Sequence, residues 1–359
     1  MSKKALIAMS GGVDSSIAAK LIKDAGYECI GCTMKLYDNE DIELDKENTC
    51  CSLDDVTDAR NVALANGMPY YVLNFKEGFN ECVIKRFVEA YENGRTPNPC
   101  IDCNRFMKFD RLFNKARELG CDYVVTGHYA RIEKIGDKYV LKKGQDETKD
   151  QSYVLYSMTQ ERLAHTLFPI GDLKKSEVRE IAEANSFINA NKPDSQDICF
   201  VPDGDYGKFL KKHTGTNYKT GDFIDKDGQI LGEHKGIVNY TIGQRKGLGV
   251  AFGKPLYVTD IRPNENVVVL GDNDDLFSKS FIVGDFNWIS GEAPLHEIKC
   301  KVRIRYKQKE QPASVIPLSN DKVKIVFDEP QRAITKGQAA VLYDEDIVLG
   351  GGTIVEVNI

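Results

Sequence analysis

Seven consecutive residues, Ser10-Gly11-Gly12-Val13-Asp14-Ser15-Ser16, set two glycines among three hydroxyls directly after an apolar run over 5–9. Apolar run, glycine-rich turn and a helix-like segment over 17–22 predict strand, loop and helix. Backbone N–H groups in such a loop, beside a helix N-terminus, form a cradle for anions. Gly11 and Gly12 permit positive φ and close approach of a phosphate. Ser10, Ser15 and Ser16 add hydroxyl donors, and one of them can cap the helix. The Walker lysine is missing, so this is not the P-loop of ordinary nucleoside triphosphatases. The competing reading is a plain glycine turn opening a helix.

The second kind of chemistry lies in ten cysteines, nine of them at or before Cys199 and one, Cys300, beyond. Cys103 ends the loop segment Thr96-Pro97-Asn98-Pro99-Cys100-Ile101-Asp102-Cys103, with a helix expected to begin at Lys108. A thiol near a helix N-terminus and beside cations, here Arg105 and Lys108, holds more thiolate, so Cys103 is a candidate nucleophile. Cys199 ends a polar loop over 193–200, the second candidate. Cys100-x-x-Cys103 is also a metal or iron–sulfur half-site, with Cys199 as the third ligand. Cys29 and Cys32 form another C-x-x-C, but on a predicted strand, where i and i+3 face opposite ways and cannot share an ion. Cys50 and Cys51 are expected to be structural, and Cys82, Cys121 and Cys300 small core residues.

These residues need a scaffold. Strand-like runs over 6–9, 27–34, 70–74 and 123–126 alternate with helix-like runs over 16–25, 53–66, 78–93 and 107–119. That alternation predicts a doubly wound α/β parallel sheet. Ligands of such sheets sit at the carboxyl ends of the strands, where the glycine loop, Met34 and Gly127-His128 would meet. Past residue 203 the texture changes to a Gly-rich, turn-punctuated stretch to 276, and then to strands over 281–288, 297–306, 322–327, 339–343 and 347–357. The expected domains are therefore 1–203 (catalytic), 204–276 (small, β-rich) and 277–359 (a β-barrel).

Composition bounds the class. With 359 residues, 42% hydrophobic and 28% charged, the chain reads as an ordinary globular protein of two or three domains. It has no run long enough to span a membrane and no signal peptide, so a cytoplasmic location and no membrane partner are expected. Cysteines in that setting argue for catalysis or metal rather than disulfide scaffolding. A formal net charge of −6 argues against non-specific nucleic-acid binding by the whole surface, though not against a local basic patch.

The glycine loop resembles the pyrophosphate loop of ATP-pyrophosphatases, which split ATP into AMP and pyrophosphate. Together with Cys50-Cys51-Ser52, Asp58–Ala63, Thr96–Pro99 with Cys103-Asn104, Gly127–Ala130, Lys149–Tyr153, Asp194–Phe200, Asn239–Arg245 and Gly337–Ala339, it stands in the order seen in bacterial tRNA-specific 2-thiouridylases. The resemblance covers nearly the whole chain. It implies an adenine nucleotide alpha hydrolase-like fold and a tRNA-uridine 2-sulfurtransferase that replaces O2 of the wobble uridine with sulfur. It places ATP against Ala8, Met9, Ser10, Gly11, Gly12, Val13, Asp14 and Ser15, with the adenosine near Met34 and Gly127 and Mg²⁺ on the polyphosphate. It makes Cys199 a persulfide carrier, loaded by a sulfur-relay protein or cysteine desulfurase, and Cys103 the nucleophile; a Cys103–Cys199 disulfide would then form and need reduction. It assigns contacts with the tRNA anticodon arm to His128, Lys149, Asp150, Gln151, Arg305, Tyr306 and Gln338. One position departs: many members carry an aspartate where this chain has Cys100. That leaves Cys100 either a spectator or part of an iron–sulfur cluster with Cys103 and Cys199.

A surface for RNA is suggested by Lys301, Arg303, Arg305, Lys307 and Lys309, which would share one face of a strand; an edge strand guarded by lysines is the bland alternative. Two other functions compete. An ATP-dependent ligase or amidotransferase for a small molecule leaves the cysteines and basic run unused. A non-catalytic RNA-binding or sulfur-carrier protein leaves the nucleotide loop without purpose.

Overall fold

The computed structural model describes residues 2–38, 53–193, 198–249, 253–319 and 321–358; Cys50, Cys51 and residues 194–197 of the Cys199 loop lie outside these. In chain order the first half lays down β1 (Lys4–Ala8), α1 (Val13–Asp24), β2 (Glu28–Lys35), α2 (Leu53–Ala65), β3 (Tyr70–Asn74), α3 (76–92), α4 (99–118), β4 (Tyr123–Val125), the hairpin β5 (Ala130–Ile135) and β6 (Lys138–Lys143), α5 (Gln160–Ala164), β7 (Thr166–Leu167) and α6 (Lys175–Ala184). Five of these strands form a parallel sheet in the order β3-β2-β1-β4-β7. The central β1 buries Ala5, Leu6 and Ile7 completely, as a strand covered on both faces must. Cys29 packs with α1 and α2 on one face, and Cys32 packs with Leu112, Phe113 and Ala116 of α4 on the other. Both thiols are buried and pushed up by desolvation, so the pair is structural, as its strand spacing requires.

Helix α4 starts earlier than the sequence reading has it. Asn98 is its N-cap, accepting from Cys100 N at 3.2 Å, and Pro99 occupies the first turn, where its missing N–H is harmless. Cys103 therefore lies inside a helix, at the start of a π-helical stretch, Cys103–Arg111. Such wide turns recur at functional sites.

A middle unit follows: α7 (Tyr206–Thr214) and the sheet β10-β11-β8-β9, built from β8 (Gly221–Ile224), β9 (Ile230–His234), β10 (Tyr257–Arg262) and β11 (Val267–Gly271). Its Phe223, Val258 and Val268 share one core cluster with Phe79, Phe87 and Tyr91 of α3. The last unit contains β12 (Phe277–Trp288), β13 (Ile298–Arg303), β14 (Gln311–Ser319), β15 (Lys322–Arg332), β16 (Ala339–Asp344) and β17 (Ile347–Val357). They pair in the order β12-β15-β14-β13-β16-β17, and β17 returns to β12, closing a six-stranded barrel. Phe281, Val302, Ile325, Phe327 and Leu342 fill its interior, each worth roughly 1.5–3 kcal/mol on burial.

Two features depart from the expected layout. Hairpin β5–β6, from the first half of the chain, adds to the barrel sheet through Lys142↔Ile347 and Leu141↔Val348. And the strand expected to run through 301–309 ends at Arg303, because the chain turns over 304–308. The five cations therefore do not share a face.

Candidate active site

The glycine loop joins β1 to α1 at the carboxyl edge of the sheet. Gly11 takes φ +79°, and a Cβ there would lie 2.5 Å from the Asp55 carbonyl oxygen of α2. Gly12 is the helix N-cap at φ −84°; its position is open, and a Cβ there would have Ser10 Oγ, 3.5 Å away, as its nearest neighbour. Thus Gly11 supplies the turn and Gly12 the room for close approach. No serine caps α1: Ser15 and Ser16 donate their hydroxyls back to the Gly12 carbonyl, at 3.0 and 3.1 Å. Ser15 Oγ also accepts from Ser10 N at 3.1 Å, which cinches the loop. The N–H groups of the first turn of α1 have no intrahelical acceptors.

Residues that the sequence reading did not single out hold this loop. Lys175 Nζ, nearly buried, donates to both Asp14 carboxylate oxygens at 2.7 and 2.8 Å, and Tyr129 Oη donates to Asp14 Oδ1 at 2.8 Å. Asn189 Nδ2 donates to Gly11 O and Ser16 Oγ, while its buried Oδ1 has no hydrogen-bond partner among the described residues. Lys192 bridges Asp55 and Asp58 on α2. A signal for Lys175 was present: Lys174-Lys175 opens a helix, where the macrodipole disfavours cations unless a local anion holds them.

Gly127 follows β4 and lies directly against α1. A Cβ there would meet Asp14 C at 2.7 Å and Ser15 N at 2.8 Å. The loop, Gly127 and the end of β2 at Met34 therefore meet at one sheet edge, as the strand order predicts. Next to Gly127, His128 is buried between Phe109 and Phe168. Burial, aided by the Lys108 ammonium, holds its pKa well below the ordinary value. Lys108 Nζ can only donate, so at 3.2 Å it makes Nε2 the acceptor; Nδ1–H then donates to Thr126 Oγ1 at 2.6 Å. His128 is thus a neutral, buried imidazole.

Cys103 and Cys199 each pack against one large hydrophobic cluster, the one that also receives Met34, Phe106 and Ile198. The Tyr37 hydroxyl, just past β2, donates to the Cys199 carbonyl at 3.1 Å and ties that loop to the sheet edge. No disulfide links the two cysteines. Arg105 does not serve the thiol as a cation alone, because its guanidinium is bound bidentately by Asp285 of the barrel. Cys100 is exposed, near enough to Tyr306 to help burial push that phenol up. Among the described residues no three His, Cys, Asp or Glu side chains assemble as a metal site. Cys100, Cys103 and Cys199 are not gathered as cluster ligands, since Cys100 faces the barrel while the other two pack inward.

The residues expected to touch tRNA are seen here with internal partners. Asp150 is buried, accepting from Gly144 N, Ser152 and Arg303. Gln151 Oε1 accepts from Tyr129 N at 2.9 Å. Arg305 donates to Ala333 O and Thr335 Oγ1. Gln338 Nε2 donates to Thr96 O at 2.8 Å, tying the barrel to the segment that leads into α4. Tyr306 is partly exposed, with its ring against Tyr153. Lys149 N donates to Asp146 O in a turn.

Known proteins match all three units. The family described as the tRNA methyl transferase HUP domain covers residues 3–203, the tRNA methyl transferase PRC-barrel domain 207–272, and the aminomethyltransferase beta-barrel domain 278–354. A protein of Clostridioides difficile (strain 630) named tRNA-specific 2-thiouridylase MnmA is 55% identical over 356 residues, 99% of this chain and 98% of its own. One of Clostridium botulinum (strain Loch Maree / Type A3), named tRNA-specific 2-thiouridylase MnmA 1, is 51% identical over 354 residues and 99% of each chain. Among solved structures, a 4-thiouridine synthetase–RNA complex with bound ATP aligns with 59% of this chain and 50% of its own, at 21% identity and a TM-score of 0.37. On the identity and coverage of its curated relatives, this chain belongs to the tRNA-specific 2-thiouridylase family.

Proposed function

We propose that this enzyme carries out ATP-dependent 2-thiolation of the wobble uridine of tRNA. The observation that supports the reading is that two cysteines from distant parts of the chain, Cys103 and Cys199, both pack against one hydrophobic cluster that Met34 also borders. A ligase for small molecules has no use for that pairing. Loop 10–12 and the first turn of α1 bind the polyphosphate of ATP, with the open Cα of Gly12 and the orphaned Asn189 Oδ1 fitting a bound nucleotide. Asp14, Asp55 and Asp58 are each engaged by a lysine. Mg²⁺, when bound with the nucleotide, would supply charge neutralisation on the polyphosphate.

The uracil O2 attacks the α-phosphorus and pyrophosphate leaves, which turns a poor leaving oxygen into an adenylate. Cys199 carries the terminal persulfide sulfur, loaded by a sulfur-relay protein or cysteine desulfurase. That sulfur bonds to C2 and AMP departs. The Cys103 thiolate then takes the Cys199 sulfur, which leaves the thiocarbonyl on the base and a Cys103–Cys199 disulfide for an external reductant. The base must leave the anticodon stack to reach the site. tRNA contacts fall to Lys149, Tyr306 and the barrel, with His128, Asp150, Gln151, Arg305 and Gln338 framing that surface from within. The three-cysteine cluster is not carried into the mechanism. No described helix is long and apolar enough to cross a membrane, and we place the enzyme in the cytoplasm with its tRNA.

The test is tRNA-dependent release of AMP and pyrophosphate, followed with the 2-thiouridine content of the tRNA. Cys199→Ser should abolish thiolation while adenylation persists. Pyrophosphate release that ignores tRNA, or thiolation that survives without Cys199, would overturn the reading. Iron bound stoichiometrically after anaerobic purification would restore the cluster chemistry.

A further inference from the structure

Strand β12 carries a defect that faces the catalytic helix. Its pairing with β17 shifts register between Gly284 and Asn287, and inside that bulge Asp285 adopts φ +48°. Bulges beside active sites re-aim side chains, and a non-glycine residue in left-handed backbone is a local strain that the surroundings must hold in place. Asn287 does so from two residues away, donating Nδ2 to the carbonyls of Tyr156 (2.7 Å) and Met158 (3.1 Å). The aimed carboxylate takes both terminal nitrogens of Arg105, with NH2 to Oδ1 at 3.1 Å. Arg105 lies two residues past Cys103, in the π-helical stretch of α4.

Stability does not explain this arrangement. The Asp285 side chain is 53% exposed and that of Arg105 34%, and exposed pairs add little to folding. The contact has a positional value instead. It lies on a cleft of about 250 Å³ between α3, α4 and the barrel, lined by Arg86, Arg95, Asn98 and Asp102 as well as the pair itself. On the N-terminal side of Cys103, Gln338 already fixes the chain through Thr96. Asp285 supplies the matching hold on the other side, so the barrel grips both flanks of the Cys100–Cys103 turn.

We propose that Asp285 is a positioning residue for thiolation: through Arg105 it fixes the Cys103 thiol against the activated base when tRNA sits on the barrel. The inference rests on Cys103 being the reacting thiol.

The experiment compares Asp285→Asn, Arg105→Lys, the double variant and Cys103→Ser in the full-length enzyme with tRNA and ATP. Asn tolerates left-handed backbone and keeps the shape, so only the charge is lost; Lys keeps the charge and loses the fork. Both single variants should lower kcat for thiolation roughly ten- to a hundredfold, with KM for tRNA within about twofold, and the double variant should fall no further than either alone. Alkylation of Cys103, followed by peptide mass against pH, should shift to lower pH in Asp285→Asn, where Arg105 is no longer neutralised. A rise in KM at unchanged kcat, additive losses, or an unmoved alkylation profile overturns the proposal. If Cys103→Ser still thiolates, the assignment of Cys103 falls and this inference with it. If Cys103→Ser is inactive and Asp285→Asn behaves as wild type, this inference falls alone. Should Asp285→Asn fail to fold, Arg105→Lys decides by the same kcat and KM split.

Discussion

Gly127→Ala isolates the contact between β4 and the nucleotide loop. The new methyl would sit 2.7 Å from Asp14 C and 2.8 Å from Asp14 O and Ser15 N, all backbone atoms of the first turn of α1. No side-chain rotation relieves such a clash, so the turn must retreat by about 0.7 Å or more to restore ordinary contact. Overpacking of this kind costs about 1–3 kcal/mol of stability. The retreat carries with it the N–H groups we propose bind phosphate, and a displacement near 1 Å at a reacting centre costs on the order of a hundredfold. The assay is tRNA-dependent pyrophosphate release at saturating tRNA, paired with a thermal unfolding curve. The expected result is a fall of roughly ten- to a hundredfold on a protein that still folds. Gly12→Ala is the contrast: its methyl meets nothing closer than Ser10 Oγ at 3.5 Å, so unfolding should be unchanged while nucleotide use is lost to the ligand's own approach. Pyrophosphate release within about twofold of wild type in Gly127→Ala would refute the idea that Gly127 sets the loop's position.

Lys175→Met should destabilise the fold by about 2 kcal/mol, since it strips the partly buried Asp14 of its cation, and should cut pyrophosphate release more than about tenfold; urea unfolding and the release assay check both. His128 gives a pH dependence. Its folded pKa lies below the ordinary 6.5, so below that pH the unfolded chain takes the proton and stability drops. Stability should therefore fall as the pH drops below 6.5, and that fall should be missing from the urea midpoints of His128→Gln; an equal pH slope in the variant would contradict the neutral assignment. Gln338→Glu replaces a donor to Thr96 O with a carboxylate facing that carbonyl, with an expected loss of about 1–3 kcal/mol in urea unfolding and slowed thiolation.

The loop and the parallel sheet were legible because their signals are local. Residues 5–9 are continuously apolar and are followed, after Ser10, by two glycines, and each of the first three strands is followed by a helix. The start of α4 was legible too: Asn98-Pro99 is an N-cap and first-turn pair, and reading it as loop sets the helix start more than two turns late and leaves Cys103 outside it. Strand β14 escaped because Pro312 and Pro317 argue against a strand with neighbours on both sides. What no local pattern carries is partnership across the chain. Arg303 looked like part of a phosphate-binding face because its alternation with Lys301 and Arg305 is real. Its actual ties to Asp150 and Glu310 depend on how the barrel meets the first domain. Lys175 and Asn189 likewise gain meaning only when α6 and the segment after it fold back on the loop.

The hairpin β5–β6 sets a condition on how the enzyme is made. Its second strand, β6, pairs with β17, roughly 200 residues later, and non-local pairing of this kind forms late. At about 5–20 residues per second a ribosome needs roughly 10–40 s to supply that partner. Until then Leu141 and the neighbouring Tyr153 and Phe109 await the apolar side chains of Ala339, Val341 and Tyr343. A fragment cut at the first domain boundary therefore carries a bare strand edge and half a core, which makes it a substrate for chaperones and proteases rather than a free-standing adenylating module. The parallel-sheet domain and the barrel mature as one object, and the first half of the chain is not a finished fold before the last strand arrives.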